Sequence, residues 1–317
     1  MTTLQACSLL GCPIDDRFLA ADDYAGPLAR WCPGCGDHAI LASVRRLCEN
    51  HQLQPEQTVF VSGIGCSSRF PHYMKTYGFH GLHGRALPLA LGVKLRRPDL
   101  TVFVSTGDGD CFSIGSAHWL HTVRYNPDMV VMVFDNNVYG LTKNQTSPTS
   151  PQGYPSNTQP TGALLGPMNP LSVTLGISGA SFVAQTCDWL PAHLDAVLEK
   201  AFAHRGLSFV RILQRCPEYT DKIFTEAMRN PDRVELLTHE DGVDLPQLAR
   251  TYQHQTRHDP SDLHRARQLA ESTDRYRLGI FYRNAAMPVY EQVRAVPARS
   301  AAERLATLEL ELDKYAV

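Results

Sequence analysis

Three short apolar runs set the terms for any fold of this chain: residues 58–62 (TVFVS), 101–106 (TVFVST) and 129–135 (MVVMVFD). Each is rich in β-branched residues, and none alternates cleanly between apolar and polar. A half-exposed strand alternates, whereas a strand covered on both faces need not. Between the runs lie stretches of helical period. Residues 38–50 put Ile40, Leu41, Val44, Leu47 and Cys48 on one face, with Asp37 in place to cap the start. Residues 87–95 and 114–125 also read as helices, and 190–205 reads as a helix between strands at 182–186 and 209–213. Strand, helix, strand in repetition predicts an α/β fold built on a doubly wound, mostly parallel sheet.

The flanks differ in character. Residues 1–30 lack periodicity and read as an N-terminal arm. Residues 31–217 carry the body of the fold. Residues 218–317 form a C-terminal extension that packs on the body or on a partner, with a mildly basic stretch (Arg250 to Arg283) and a terminal helix at 301–312. Residues 144–170 are dense in Pro, Gly, Ser, Thr and Asn. A loop of that length in a compact domain is usually functional, and cover over a site is the expected role.

Lys plus Arg number 30 and Asp plus Glu 32, for a net charge of −2. That balance excludes a cationic nucleic-acid binder. With 43% apolar and 20% charged residues the composition is that of a globular protein. No apolar run reaches the roughly 18 residues of a membrane helix, and the N-terminus lacks the features of a secretory signal. A cytoplasmic, reducing location is expected, where the nine cysteines are thiols or metal ligands rather than disulfides.

The most informative motif follows the run at 101–106. It is Gly107-Asp108-Gly109-Asp110, and Asn136 stands 28 positions past Asp108 in Asp135-Asn136-Asn137-Val138-Tyr139-Gly140. Both segments sit at carboxyl ends of strands, where α/β folds bind ligands. If the strands are neighbours, both side chains enter one crevice. The residue types suit a hard cation bound to a diphosphate: Asp108 supplies charge, Asn136 a neutral carbonyl, and the Val138 carbonyl a third oxygen. The glycines let the main chain approach phosphates closely.

The second set is made of thiols. Cys32 and Cys35 share one tight turn in Trp31-Cys32-Pro33-Gly34-Cys35-Gly36; Cys66 follows one strand and Cys216 another. Four thiolates at one sheet edge hold either Zn²⁺ or an iron–sulfur cluster, and the residues alone do not separate the two. Cys7, Cys12, Cys48, Cys111 and Cys187 read as structural.

Taken together, WCPGCGDHAIL, GIGCSSRFPHYM, LHGRALPLALGVKL, GDGD and DNNVYGLTKNQTSPT resemble the β subunit of 2-oxoacid:ferredoxin oxidoreductases, over about 60% of the chain. The tail, with Pro288-Val289-Tyr290-Glu291, is similar to the 2-oxoglutarate branch. The resemblance implies a thiamine-diphosphate-binding fold and an α subunit, usually in an (αβ)₂ assembly. It implies oxidative decarboxylation of a 2-oxoacid with CoA, with electrons passed to ferredoxin. It implies one 4Fe–4S cluster on Cys32, Cys35, Cys66 and Cys216, and Mg²⁺ on Asp108, Asn136 and Val138. Ile64, Gly65, Cys66, Ser67, His83, Gly84 and Arg85 then contact thiamine diphosphate. Gly107, Asp108, Gly109, Asp110, Asn136, Val138, Tyr139, Gly140 and Leu141 complete the cofactor set. No segment supplies the glutamate that such enzymes place against the aminopyrimidine ring; in the family it comes from the α subunit, so the chain alone is expected to be inactive.

Arg69 is expected to bind the distal carboxylate of 2-oxoglutarate, with Lys143 and Thr142 near substrate or diphosphate. His83 faces the diphosphate, while His72 and His80 are structural or near the substrate; glycines at 78, 81 and 84 argue against a helix there. Pyruvate or a broad range of 2-oxoacids is the alternative substrate. A non-redox thiamine decarboxylase with a zinc staple, or a noncatalytic assembly subunit, are the competing functions.

Overall fold

The computed structural model describes residues 17–294 and 300–315. Cys7 and Cys12 lie outside the described residues. The strands in chain order are β1 (Thr58–Ser62), β2 (Tyr77–His80), β3 (Thr101–Gly107), β4 (Met129–Asp135), β5 (Val138–Tyr139), β6 (Gln145–Thr146), β7 (Phe182–Cys187), β8 (Leu207–Leu213), β9 (Val234–Thr238), β10 (Gln255–Arg257) and β11 (Tyr276–Arg283). Nine of them form one sheet in the order β10-β9-β11-β7-β8-β4-β3-β1-β2, and β5 pairs with β6 separately. From β2 to β7 every pairing is parallel. The five strands expected from the apolar runs are all present. No helix is long and apolar enough to cross a membrane among the described residues.

The missing alternation has a direct cause. Val59, Val61, Val102, Val104, Val131 and Val133 point to one face, under helices Ala86–Arg96 and Ser116–Tyr125. Phe60, Phe103, Val130, Met132 and Phe134 point to the other, under helices Asp37–Asn50 and Pro191–Ala203. Both faces are core, so both sets of positions are apolar. On the second face Phe60 and Phe103 stack at 4.9 Å, and Phe202 stacks on Phe103 at 6.0 Å.

Two expectations change in the structure. Asp37 does not cap the first helix: Gly36 is the N-cap residue, and Asp37 is the first helical residue with both carboxylate oxygens buried and unpartnered. Packing sets this start. A Cβ at Gly36 would collide with Asp188 Oδ2, and the Gly36 N–H donates to the Arg215 carbonyl. The helix expected at 114–125 begins only at Ser116, because residues Asp110–Ile114 form a wider π turn directly behind the GDGD motif.

The described part of the N-terminal segment is anchored. Tyr24 is fully buried, and its hydroxyl donates to the carbonyls of Cys48 and Leu53. The C-terminal segment contributes β9, β10 and β11, with β11 antiparallel to β7, so it continues the central sheet. Its arginines are mostly engaged: Arg277 pairs with Glu235 and Asp274, Arg275 with Asp274, and Arg267 donates to the Leu175 carbonyl.

Phe103→Ala should cost about 3–5 kcal/mol in denaturant unfolding, since it opens a cavity between stacked rings. Leu305→Ala, on the exposed helix Ala301–Asp313, should stay within about 0.5 kcal/mol. Equal effects would contradict the layer assignment.

Candidate active site

The chain turns outward from β1 to β2, whereas β3 lies on the other side of β1. Such a reversal opens a crevice at the carboxyl ends of the strands, the place where open α/β sheets take ligands. A cavity of about 440 Å³ lies there. Ile64, Gly65, Cys66 and Ser67 reach it from the loop after β1, Gly107, Asp108, Gly109 and Asp110 from the end of β3 and the turn behind it. Asn136, Val138, Tyr139, Gly140, Leu141 and Thr142 come from the loop after β4, and His83 from the turn after β2. Neighbouring β3 and β4, paired Gly107 to Phe134, bring the two motifs together. Gly84 and Arg85 stand behind His83, with Arg85 at the N-cap of helix Ala86–Arg96.

Three carboxylates are buried at these strand ends, and each is satisfied differently. Asp135 forms an ion pair with Arg211, at 2.6 Å. Asp110 accepts backbone N–H bonds from Ile64 (3.1 Å) and Gly84 (2.7 Å), accepts from the Thr106 hydroxyl (2.6 Å), and faces His83 Nδ1 at 2.6 Å. Asp108 accepts from two hydroxyls, Ser147 Oγ at 2.5 Å and Thr149 Oγ1 at 2.8 Å, and from the Gly109 backbone N–H, and has no ion pair among the described residues. Burial, with Asp135 nearby, pushes the Asp108 carboxyl up. Two neighbouring carboxylates and one arginine leave negative charge uncompensated, which is the environment a divalent cation fits. Asn136 Oδ1 accepts the Val138 N–H at 3.2 Å, and its Nδ2 donates to Gln214 Oε1 at 2.8 Å. That second bond turns the amide oxygen, not the nitrogen, away from Gln214.

A second cavity, of about 320 Å³, adjoins the first. Cys32, Cys35, Cys66 and Cys216 all line it, with Arg69 and Lys143. All four are free thiols. Burial pushes the Cys66 thiol up to about 12, with Asp37 and the Cys216 and Cys32 thiols adding to the effect and Arg69 opposing it. Among the described residues no three His, Cys, Asp or Glu side chains converge on a point that suits one ion. The four thiols share the wall of one cavity. Cys66, Asn136, Gly140 and Leu141 belong to the walls of both cavities. Arg69 and Lys143 therefore lie on the thiol side, and only Thr142 of the three expected substrate residues lines the first cavity. Neither cation has an ion pair among the described residues; the Arg69 guanidinium lies 5.8 Å from the Tyr73 ring centre.

Residues 63–212 match the model of the thiamine pyrophosphate enzyme, C-terminal TPP binding domain, and residues 248–297 match that of the C-terminal part of the pyruvate ferredoxin oxidoreductase beta chain. A 2-oxoacid:ferredoxin oxidoreductase subunit beta from Saccharolobus solfataricus is 38% identical over 264 residues, 83% of this chain and 84% of that one. The chain belongs to this β-subunit family. The 2-oxoglutarate oxidoreductase subunit KorB of Mycobacterium tuberculosis is 46% identical over 220 residues, 69% of this chain, and the matched span is 58% of that relative's length. Among solved structures, a 2-oxoglutarate:ferredoxin oxidoreductase from Magnetococcus marinus, with 2-oxoglutarate, coenzyme A and succinyl-CoA bound, superposes with a TM-score of 0.77 at 34% identity. The match covers 93% of this chain and 97% of that one.

The β subunit also places residues at the site that spacing did not single out. Ser147 and Thr149 hold Asp108, Gln214 orients Asn136, and Arg211 neutralises Asp135. The density of Ser and Thr in the 144–170 loop was the available signal for the first two. His72 and His80 pack ring to ring at 4.9 Å, and His80 Nδ1 lies 3.0 Å from Ser62 Oγ and 2.8 Å from the Ser68 carbonyl, a structural role. Cys48, Cys111 and Cys187 are buried away from both cavities' walls.

Gly63 stands against Asp110, where a Cβ would collide with Oδ2. Gly63→Ala should destabilise the β subunit by about 1–3 kcal/mol. Gly92→Ala, at a helix position with open space around it, should stabilise it by roughly 0.5–1 kcal/mol. Thermal or urea unfolding of the two variants checks the contrast.

Proposed function

We propose that this β subunit binds thiamine diphosphate through Mg²⁺ held by Asp108, Asn136 and the Val138 carbonyl, and carries one 4Fe–4S cluster on Cys32, Cys35, Cys66 and Cys216. With an α subunit, in an (αβ)₂ assembly, it converts 2-oxoglutarate and CoA to succinyl-CoA and CO₂ and delivers electrons to ferredoxin. The observation that carries this reading is the shared wall: four free thiols line one cavity, and that cavity shares Cys66, Asn136, Gly140 and Leu141 with the diphosphate cavity. A zinc staple needs four sulfurs at about 2.3 Å from one point and has no reason to border the cofactor. The bound molecules of the Magnetococcus marinus structure support 2-oxoglutarate and CoA as substrates. Free thiols throughout the described residues suit a reducing compartment such as the cytoplasm.

When bound, thiamine diphosphate supplies an electron sink for decarboxylation, and the cluster supplies an exit for one electron at a time. The chain's own residues do the rest. Asp108 adds the charge that keeps a dication at the strand ends, and its two hydroxyl partners hold it in place. Gly65, with φ at +139°, lets the backbone adopt the turn after β1. Phe134, Val138 and Leu141 give the cavity an apolar lining that limits water. Arg69 and Lys143, which have no ion pair among the described residues, offer cations for the distal carboxylate, reached from the thiol side of the shared wall. The remainder of the site, including the glutamate for the aminopyrimidine ring, comes from the α subunit.

Anaerobic purification should yield a brown β subunit with about four irons and four sulfides; a colourless zinc protein would end the electron-transfer reading. The β subunit alone should not turn over 2-oxoglutarate with CoA, and adding the α subunit should restore activity. Arg69→Leu should raise KM for 2-oxoglutarate at least ~10-fold more than for 2-oxobutyrate, as loss of one charge-assisted carboxylate contact predicts. Equal effects on both substrates would remove Arg69 from substrate binding.

A further inference from the structure

Among the described residues His83 is the one imidazole on the wall of the first cavity. Its Nδ1 lies 2.6 Å from Asp110 Oδ1, and that oxygen also accepts from the Gly84 and Ile64 N–H groups. Oδ2 is taken by the Thr106 hydroxyl. With two N–H donors on Oδ1 and a hydroxyl donor on Oδ2, the carboxyl group is held as an acceptor throughout, which places the proton between Asp110 and His83 on the ring. Nε2, on the far side of the ring, has no partner among the described residues. Tyr139 fixes the plane of the imidazole: the two rings meet edge-on at 5.9 Å, and the Tyr139 hydroxyl donates to the Gly109 carbonyl at 2.9 Å.

We propose that Asp110 is the positioning residue for His83. It holds the imidazole with a proton on Nδ1 and presents Nε2 as the nitrogen that takes a proton from, and returns it to, the reacting group in the cavity. The proposal rests on reading that cavity as the thiamine diphosphate site, and adds proton handling to it. While Nε2 holds the extra proton, the Asp110 carboxylate stabilises the imidazolium, the division of labour of an acid–histidine pair. The geometry also separates the two roles of Asp110. Two backbone donors converge on Oδ1, so in Asp110→Asn the carbonyl oxygen must occupy that position. The variant keeps the N–H bonds to Oδ1 and the tautomer, removes the charge, and turns the Thr106 hydroxyl from donor to acceptor.

Ring-¹⁵N histidine labelling of the full chain, with His83→Gln to assign the signal, reads the tautomer directly. The wild type and Asp110→Asn should both show the Nδ1–H form. Asp110→Ala should move His83 toward the Nε2–H form that a free imidazole prefers. In the assembled oxidoreductase, Asp110→Asn and His83→Gln should each lower kcat ~10²-fold or more with little change in KM for 2-oxoglutarate. A wild-type Nε2–H tautomer, an unchanged signal in Asp110→Ala, or full kcat in Asp110→Asn would overturn the proposal. Absence of thiamine diphosphate binding to the wild-type assembly by calorimetry would instead overturn the reading it rests on, leaving the tautomer result standing.

Discussion

Three carboxylates buried at neighbouring strand ends, Asp108, Asp110 and Asp135, are the constraint around which the rest of the site is arranged. An isolated buried carboxylate is costly, so each must find compensation. Asp135 takes it from Arg211 across the β4–β8 pair. Asp110 takes it from two backbone N–H groups, a hydroxyl and His83. Asp108 takes it from two hydroxyls and the Gly109 N–H, none of which carries charge. Of the three, Asp108 is the one with neither a cation nor an imidazole beside it among the described residues, which is why it is the proposed cation ligand. The same compensations set the backbone: binding Asp110 ties the loops after β1, β2 and β3 to one atom pair, and Gly63 is needed because that carboxylate occupies the space of a side chain.

Much of this was legible in the chain, for reasons that are physical rather than statistical. Strands buried on both faces must be apolar at every position, so β1, β3, β4, β7 and β8 stood out. The two cofactor motifs lie immediately after such strands, and their spacing places them together once β3 and β4 are adjacent. The tail strands were hidden by the opposite circumstance. Glu235 on β9 and Arg277 on β11 are in register and pair at 2.8 Å inside the fold. Each charge reads as surface when its partner is some forty residues away. β2 was hidden because it is an edge strand whose residues are all exposed. Asp37 misled as a helix cap because the helix start is set by Gly36 packing on Asp188, a contact between residues far apart in the chain.

The thiols show how a sequence motif and a tertiary contact divide the work. Cys32 and Cys35 are close because one turn joins them. Cys66 and Cys216 join them only because β1 and β8 end at the same edge of the sheet. Gln214 strengthens that convergence: it follows β8, donates to Cys35 Sγ at 3.3 Å and accepts from Asn136 Nδ2 at 2.8 Å. One side chain therefore touches a candidate ligand of the cluster and a candidate ligand of the metal, and the two cavities are fixed relative to each other by covalent chain as well as by packing.

That rigidity bears on what a one-electron enzyme requires. A hydride-transferring dehydrogenase needs its acceptor at the reacting carbon, but electrons leaving singly need a fixed relay close to the cofactor and insulated from water. The wall between the cavities is made of Cys66, Asn136, Gly140 and Leu141. Cys66 belongs at once to the loop that approaches the first cavity and to the thiol set. On the proposed reading, a residue serving both sides keeps the route from cofactor to cluster short. The cations proposed to meet the substrate, Arg69 and Lys143, line the second cavity beside this wall rather than within it. Specificity can then change by substitution at the rim while the sheet ends, the buried carboxylates and the thiol positions stay as the fold sets them.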